Sequence, residues 1–410
     1  MTVLFGLELK GRPVLIVGAG TVAARRVRRF VGDGALVTVV APEVCEDIER
    51  LAIHGDITVE RRGIVPQDLD GAWFVLAATD DVALNDEIAG WAEERRVWCI
   101  DASDASKGTA RQAAMSRHGE TAVGVLSLGS PDPGRIRAVR DAVAAHIDAG
   151  EVDLRRRRSG EGRVVLVGSG PGDPGLMTVR GRQALAEADV VVTDRLGATE
   201  LLVTLPADVE VINVGKSPDR HPVPQHEINR ILVERAQAGN TVVRLKGGDP
   251  YVFGRGGEEV HACRAAGVPV EVVPGITSAI SVPALADIPV TQRGVATSVH
   301  ITTGHAGADP AAVESMAAGA TTVFLMGVTA LPRIVDAALA AGCAASLPVA
   351  IIENGSTARE RVTHGTLDSI VEVASETAVK PPAIIVVGRV ADPGMLAQDI
   401  AATPEPEGTP

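Results

Sequence analysis

The chain has 410 residues, of which 46% are hydrophobic and 2% aromatic, and it carries a formal net charge of −13. This length suits two or three domains with cores of Val, Leu, Ile and Ala, which favours buried parallel strands flanked by helices. The acidic balance argues against a nucleic-acid-binding protein, because such proteins present a basic surface.

The first part of the chain alternates apolar runs with helical segments. The apolar runs lie at 14–17, 36–42, 57–60, 72–79 and 96–101. Such a βαβ series predicts a mostly parallel, doubly wound sheet. We therefore expect a Rossmann-like α/β domain at 1–150, followed by an arginine-rich linker at 151–162.

Gly18, Gly20 and Ala23 form a G-x-G-x-x-A pattern where the first strand meets the next helix. The first glycine permits a tight turn, the second lets the backbone approach a pyrophosphate, and the small third residue lets the helix pack on the strand. The phosphates then lie at the helix N-terminus. The predicted dinucleotide site comprises Gly18, Gly20, Thr21, Val22, Pro42 and Glu43. NAD is favoured over NADP only weakly, because Arg25 and Arg26 lie nearby.

Carboxylates follow two later strands of this module. Thr79, Asp80 and Asp81 end one strand, and Asp101 and Asp104 follow the next. Thr and Asp at such places serve well as helix caps. One of the second pair could instead accept or donate a proton beside a bound nicotinamide. Spacing alone leaves both interpretations open.

A second module begins at Arg163, again with a strand that runs into glycines. Its loop "GSGPGDPG" (168–175) has Pro171 and Pro174 where a phosphate-binding helix would begin. A second glycine loop, "KGGDPYVFGRGGEE" (246–259), also lacks the P-loop pattern. Ligands of open α/β sheets bind beyond the carboxyl ends of the strands. The two loops therefore predict a ligand cleft for something other than a polyphosphate.

The cysteine spacing and the terminal segments argue against further classes of protein, namely metal-binding, disulfide-rich, secreted and membrane-spanning proteins. The four cysteines lie far apart, so neither a metal site nor a disulfide framework is predicted, and free thiols fit the cytoplasm. The N-terminus lacks the order of a signal peptide, and no apolar run is long enough to span a membrane. We expect residues 396–410 to form a disordered tail.

Seven blocks of the second module occur in an order typical of one known family. They are "GSGPGDPGLMTVRG", "VVTDRL", "VGKSP…VPQHEIN", "RLKGGDPYVFGRGGEE", "VVPGITSA", "FLMG" and "ENGSTARERVTHGTL". This region resembles the tetrapyrrole methylase family, specifically the uroporphyrinogen-III C-methyltransferases. With the N-terminal module, the whole chain resembles siroheme synthases, which fuse that methyltransferase to a precorrin-2 dehydrogenase and ferrochelatase.

The resemblance implies a two-lobed α/β methylase domain at 163–395, with S-adenosylmethionine between its lobes. The implied cofactor contacts are Pro171, Gly247, Gly248, Asp249, Val252, Thr277, Ser278, Met326 and Gly355. Asp194 matches the proposed base and Lys216 the proposed proton donor. The substrate, uroporphyrinogen III, carries many carboxylates, which arginines bind well. Candidates for that contact are Arg180, Arg182, Arg255, Arg293, Arg359 and Arg361.

The resemblance also implies a role for the N-terminal module. Precorrin-2 would be oxidised there with NAD to sirohydrochlorin, and ferrous iron would be the substrate of a final insertion step. The family uses one Asp after the fifth strand for both steps. Asp101 and Asp104 both fit this position, and Asp104, which begins the second "DAS", is preferred.

Two alternatives remain open at this stage. The region that joins the modules is reduced to about twenty residues around the arginine run. This favours a methyltransferase that supplies precorrin-2, for siroheme or for cobalamin, with a non-catalytic NAD-binding sensor or scaffold at its N-terminus. A non-catalytic tetrapyrrole carrier is a further hypothesis. The resemblance implies a homodimer, and the acidic charge and the short apolar runs predict no nucleic-acid or membrane partner.

Overall fold

The structure is a computed structural model that describes residues 3–104, 106–119, 121–155, 160–194, 199–215 and 223–397. The chain divides into two compact units, Met1–Ala145 and His146–Pro410. Within the described ranges, no helix combines the length and apolar character needed to cross a membrane.

The first unit is built on a parallel sheet. Its strands are β1 (Pro13–Val17), β2 (Leu36–Val40), β3 (Thr58–Glu60), β4 (Phe74–Ala77) and β5 (Trp98–Asp101). They lie in the order β3-β2-β1-β4-β5, and all pair in parallel. The helices are α1 (Thr21–Gly32), α2 (Glu46–Ile53) and α3 (Val82–Glu94). A hairpin of β6 (Ala114–His118) and β7 (Thr121–Val125) follows, and then α4 (Pro133–Asp148).

The strands of this unit are apolar throughout because both faces of the sheet are covered. Successive side chains of a strand point to opposite faces. Val14 and Ile16 therefore pack into one buried cluster with Val27 of α1, while Leu15 packs into a second cluster with Ile88 of α3. The predicted doubly wound sheet is confirmed, and its strand order reverses between β1 and β4.

The second unit contains two five-stranded sheets. The first lobe holds β8 (Arg163–Gly168), β9 (Val190–Thr193), β10 (Glu210–Asn213), β11 (Thr241–Lys246) and β12 (Val270–Val273). Its helices are α5 (Val179–Ala186), α6 (Gln225–Gln237) and α7 (Gly256–Ala265). The strands are all parallel, in the order β10-β9-β11-β8-β12.

The second lobe has a mixed sheet. Its strands are β13 (Val299–Thr303), β14 (Thr321–Leu325), β15 (Pro348–Glu353), β16 (Arg361–Thr366) and β17 (Ala383–Val387). Its helices are α8 (Ser278–Leu285), α9 (Pro310–Ala317), α10 (Leu331–Ala340) and α11 (Ile370–Glu376). The order is β13-β14-β17-β15-β16, and only β13 and β14 pair in parallel. The expected two-lobed α/β methylase architecture is confirmed.

Three backbone segments of the second unit meet at glycines. A Cβ added to Gly168, at the end of β8, would lie 2.6 Å from the Gly248 carbonyl oxygen and 2.6 Å from the Gly275 Cα. A Cβ on Gly275 would lie 2.2 Å from the same carbonyl oxygen. Real Cβ atoms do not approach backbone this closely, so the loops can meet only where side chains are absent.

We expect Gly275→Ala to lower the free energy of unfolding by about 3 kcal/mol or more, because the new methyl overlaps a carbonyl oxygen and the backbone must move. Urea denaturation of the full chain measures this. Gly257→Ala is the matched control, since the Gly257 position has open space and lies within α7. That control should be neutral or stabilising by up to about 1 kcal/mol, and equal losses in both variants would contradict the account.

Candidate functional site

The first candidate site lies where β1 and β4 end side by side. Gly18 has a φ of +99°, and a Cβ there would lie 2.3 Å from the Ala78 carbonyl oxygen. Gly20, which caps α1, has nothing within 4 Å of an added Cβ. Ala23 is buried in the contact between helix and sheet. Gly18 thus forms the tight turn, Gly20 leaves room for a ligand, and Ala23 lets the helix pack on the sheet. These are the three features that the sequence predicted for a dinucleotide site.

The remaining predicted dinucleotide residues lie at the surface around this opening. Thr21, Val22, Pro42 and Glu43 are exposed. The first turn of α1 contains no acidic residue, so its free N–H groups are not already neutralised. A helix N-terminus beside an open glycine fits the phosphates of a dinucleotide.

Asp101 is buried at the carboxyl end of β5, with 2% of its surface exposed. Its Oδ1 accepts hydrogen bonds from the Ser103 N–H at 2.7 Å, the Ser103 hydroxyl at 2.6 Å and the Asp104 N–H at 3.0 Å. Oδ2 is also buried but has no hydrogen-bond partner among the described residues. Burial and the nearby Asp101 raise the pKa of the Cys99 thiol to about 12.

Asp104 has a different environment from Asp101. Its Oδ1 accepts from the N–H of Ser106 at 2.9 Å and from the Ser106 hydroxyl at 2.6 Å, close to the surface. These bonds from Ser106 lower the pKa of the Asp104 carboxyl. The Asp104 carboxylate is thus solvated in a turn, and the Asp101 carboxylate is enclosed by the protein.

Of the acidic pair Asp80 and Asp81, only the second has a structural role among the described residues. Asp81 caps α3 and accepts from the N–H groups of Ala83 and Leu84 at 2.9 and 3.1 Å. Asp80 is exposed. The cap interpretation is therefore correct for Asp81.

The second candidate site is formed by the paired glycine loops of the first lobe. Gly248 has a φ of +66°, and its N–H donates to the Gly170 carbonyl at 2.7 Å. The Asp249 carboxylate accepts from the Tyr251 N–H at 2.8 Å and from the Gly275 N–H at 3.1 Å. The first loop, which contains Pro171, and the loops around 248 and 275 are thus held together by a backbone hydrogen bond and by the Asp249 carboxylate.

Contacts with the second lobe complete this cluster of loops. The Asp173 N–H donates to the Ser356 hydroxyl at 2.9 Å, which joins the first glycine loop to the "ENGS" turn. Gly355 in that turn packs on Val282 of α8, where an added Cβ would lie 2.3 Å away. Thr277 caps α8, so Ser278 begins the helix at the same place.

Strained backbone is concentrated in these motifs. Among the described residues, eight other than glycine have positive φ, and five of the eight lie in the quoted blocks. They are Phe253, Arg255, Met326, Asn354 and Ser356. Met326 follows β14 with 46% of its surface exposed, and Val252 is half-buried. Such conformations are held where surrounding structure determines them, typically at binding sites.

A buried ionic cluster lies beside Asp194, which follows β9. The side chains of Arg244, Lys246 and Glu259 are 4%, 5% and 0% exposed. Arg244 donates to Glu259 Oε1 at 3.0 Å and to Asp194 Oδ2 at 3.3 Å, and Lys246 donates to the same Glu259 oxygen at 3.2 Å. Asp194 is thereby joined to β11, the strand that leads into the Gly247–Gly248 loop.

The electrostatics of this cluster follow from its burial. Burial and the neighbouring Arg244 lower the pKa of Lys246, and Glu259 opposes this shift. Asp194 Oδ1 is buried with no hydrogen-bond partner among the described residues. Lys216, the predicted proton donor, lies outside the described residues.

Four of the six candidate arginines already have partners in the chain. Arg180 pairs with Glu271, Arg255 with Glu258, Arg361 with Glu353, and Arg182 donates to the Pro174 carbonyl. The sequence analysis missed the inward-facing Arg244 and Lys246. Their signal is two cations at alternate positions of an otherwise apolar strand, "TVVRLK", which places both on one face.

Comparison with known proteins gives matches to both units. Residues 163–371 match the family model "Tetrapyrrole (Corrin/Porphyrin) Methylases", and residues 5–113 match an NAD(P)-binding family. The chain is 36% identical over 441 residues to a siroheme synthase of Tolumonas auensis, covering 94% of this chain and 93% of the relative. A siroheme synthase of Salmonella schwarzengrund is 36% identical over 439 residues, with 93% and 95% covered.

A solved cobalt precorrin-4 methyltransferase, an enzyme of cobalamin biosynthesis, shares the fold of the second unit. It covers 58% of this chain and 99% of its own, with a TM-score of 0.52 and 24% identity. At this identity the likeness concerns the fold alone.

We expect Glu259→Ala to lower the free energy of unfolding by about 3–5 kcal/mol, because Arg244 and Lys246 would remain buried without their shared anion. Denaturant unfolding followed by near-UV circular dichroism measures this loss. Glu258→Ala is the matched control, because the Glu258 pair with Arg255 is about half exposed and should contribute less than about 1 kcal/mol. A loss at Glu259 no larger than at Glu258 would contradict the role of the cluster.

Proposed function

Because the chain belongs to the siroheme synthase family, we infer that it methylates uroporphyrinogen III to precorrin-2 and oxidises precorrin-2 to sirohydrochlorin. The observation that carries this inference is the 36% identity over 94% of the chain, which spans both units. The two candidate sites agree with it, since each lies at the carboxyl edge of a parallel sheet, where open α/β sheets bind ligands.

S-adenosylmethionine supplies an activated methyl group to the first reaction, and NAD accepts hydride in the second. We propose that the glycine loops and the turns of both lobes hold the methyl donor against bare backbone. The contact residues are Pro171, Gly247, Gly248, Asp249, Val252, Thr277, Ser278, Met326 and Gly355. Their task is alignment, since a sulfonium methyl needs little further activation.

Asp194 is the proposed base of the methylation. When the substrate carbon gains a methyl group, the ring loses a proton, and a carboxylate at the end of β9 can accept it. Arg244 holds one oxygen of Asp194, and the other has no partner within the described chain. Lys216 remains the proposed proton donor on the strength of its motif.

Asp104 is the proposed base of the oxidation, as the resemblance of its motif implies. Its carboxylate lies close to the surface, where a ring-sized substrate can meet it. Asp101 is 2% exposed and its Oδ2 is buried, so a substrate does not reach that oxygen. The dinucleotide would lie on Gly18, Gly20, Thr21 and Val22, with Pro42 and Glu43 beside the ribose.

Further properties are proposed from family membership and sequence. Ferrous iron would be the substrate of a final insertion step, which yields siroheme. The domains would span 1–150 and 163–395, joined by the linker 151–162. The chain would act as a homodimer. The four free cysteines fit a reducing cytoplasm.

We expect Asp194→Asn to bind S-adenosylhomocysteine with wild-type affinity and to lose at least about 100-fold in methylation rate, because the amide cannot accept the proton. Calorimetry measures the binding, and the absorption of newly formed precorrin-2 measures the rate. Wild-type turnover in this variant would move the base elsewhere, and lost binding would show that Asp194 has a structural role.

We expect Asp104→Asn to accumulate precorrin-2 in the presence of NAD, with methylation unchanged, because only the oxidation loses its base. Uroporphyrinogen III, S-adenosylmethionine and NAD are supplied together, and the absorption of precorrin-2 and sirohydrochlorin is followed, with and without ferrous iron. Asp101→Asn is the matched variant and should oxidise precorrin-2 normally, because an amide oxygen can still accept the three hydrogen bonds at this position.

The reverse pattern would assign the role to Asp101. If the wild-type chain itself stops at precorrin-2 with NAD present, the first unit is a sensor or scaffold and not an oxidoreductase. Siroheme formation only when iron is added would support the insertion step.

A further inference from the structure

We propose that Ser356 is a positioning residue for S-adenosylmethionine, because its hydroxyl fastens the "ENGS" turn of the second lobe to the first glycine loop. The proposal rests on the proposed function, in which both segments contact the methyl donor. It adds a residue that the sequence analysis did not name among the cofactor contacts. The task assigned to this residue is to hold the two sides of the cofactor site together before the cofactor binds.

The contact between the two segments is a hydrogen bond that spans 183 positions of the chain. The N–H of Asp173, in the first glycine loop, donates to the Ser356 hydroxyl oxygen at 2.9 Å. The segments also touch beside this bond, since a Cβ added to Gly172 would lie 3.6 Å from the Cγ2 of Thr357. A side chain of the second lobe thus satisfies a backbone donor of the first lobe.

Each partner of this bond lies next to a proposed cofactor contact. Pro171 lies two residues before Asp173, and Gly355 directly precedes Ser356. Gly355 is also fixed from the other side, because it packs against Val282 of α8. A displacement of the "ENGS" turn from the first glycine loop would therefore change the distance between two proposed contacts on opposite lobes.

Ser356 has a backbone conformation that is unfavourable for a serine. Its φ is +68°, in the left-handed region that favours glycine. Its N–H donates to Glu360 Oε2 at 2.8 Å, which holds the residue in this conformation. A glycine would adopt the same φ without strain. The presence of a side chain here therefore calls for a role, and the contact to Asp173 supplies one.

The rest of the "ENGS" turn is fixed from within the second lobe. Asn354 also has a positive φ, of +49°, and its N–H donates to the Pro382 carbonyl at 2.9 Å. The Asn354 carbonyl accepts from the Thr357 hydroxyl at 2.7 Å, and that hydroxyl accepts from the Arg359 N–H at 3.1 Å. Loss of the Ser356 hydroxyl should therefore release the contact between the lobes without unfolding the turn.

The order of the two segments before binding sets the expected effect on the cofactor. A site that is ordered in advance loses less conformational entropy when its ligand binds, so its affinity is higher. If the segments separate more readily, the bound cofactor also leaves more easily. Changes of this kind act mainly on the rate of release. Once the cofactor is bound, methyl transfer itself should proceed almost unchanged.

The test compares Ser356→Ala with Ser369→Ala in the full chain. Alanine and serine are similarly strained at a positive φ, so Ser356→Ala removes little besides the hydroxyl. We expect its dissociation constant for S-adenosylhomocysteine, measured by calorimetry, and its KM for S-adenosylmethionine to rise about tenfold. We expect kcat of methylation to stay within about twofold of wild type. Stopped-flow displacement of S-adenosylhomocysteine should show faster release at an unchanged association rate.

Ser369 provides the matched control within the second lobe. Its hydroxyl also accepts from a backbone N–H, that of Thr366 at 3.0 Å, but this bond does not cross between the lobes. Ser369→Ala should therefore bind S-adenosylhomocysteine with wild-type affinity. Thermal unfolding of both variants is followed in the same samples, so that any loss of affinity can be compared with a loss of stability.

Two further variants separate the contact from the fold of the turn. Ser356→Asn keeps a side-chain oxygen in a residue type that tolerates a positive φ, and it should restore most of the affinity. Ser356→Gly removes the strain together with the hydroxyl. It should be more stable to denaturant than Ser356→Ala and yet bind S-adenosylhomocysteine as weakly.

Several results would overturn the proposal. Wild-type affinity and release rate in Ser356→Ala would do so, while methylation by the unchanged chain would leave the proposed function intact. Equal losses of affinity in Ser356→Ala and Ser369→Ala would show only a general loosening of the second lobe. A fall in kcat at unchanged affinity would place the serine in the chemical step. If the unchanged chain binds no S-adenosylhomocysteine, the proposed function on which the inference rests is itself wrong.

Discussion

The architecture of the methylase unit depends on backbone-to-backbone contact at the carboxyl edge of one parallel sheet. The segments at Gly168, Gly248 and Gly275 approach so closely that an added Cβ would overlap a carbonyl oxygen at two of them. This contact sets the position of the Gly247–Gly248 loop and, through Asp249, that of the turn before α8. Loops fixed by main-chain groups can present bare backbone to a ligand, because no side chain has to move aside.

The same principle operates in the first unit with a different outcome. There, too, a glycine packs against neighbouring backbone, as Gly18 does at Ala78, while Gly20 leaves open space at a helix N-terminus. A free helix N-terminus suits phosphate. In the methylase unit the corresponding loop instead carries prolines and pairs with a second loop, and the helix N-terminus beside it, that of α8, is capped by the Thr277 side chain. Two related sheet edges therefore favour two different cofactors.

The carboxylates of Asp194 and Asp101 are each held by one oxygen and left unpaired at the other among the described residues. Arg244 holds Asp194, and Ser103 holds Asp101. The supporting groups differ in character. Asp194 is stabilised by an ion pair with Arg244, which is buried together with Lys246 and Glu259. The charges of these four residues must therefore remain balanced. Asp101 is held by neutral hydrogen bonds from the Ser103 hydroxyl and from backbone N–H groups. These bonds require correct geometry but no balance of charge.

The sequence by itself determined the alternation of strands and helices and both glycine motifs, since these follow from short-range patterns in the order of residues, while the two-lobed methylase was implied by the resemblance of its motifs to a known family. The sequence alone could not distinguish the environments of Asp101 and Asp104, because each begins the same "DAS" motif and each motif forms the same local turn. Only the tertiary structure decided that Asp101 is enclosed at the end of β5 while Asp104 is solvated. Likewise, Arg244 and Glu259 are 15 positions apart, and they meet only because a helix folds back over its strand. Burial and long-range contact depend on which elements cover a residue. Those elements are set by the packing of the whole sheet and not by the neighbouring residues in the sequence.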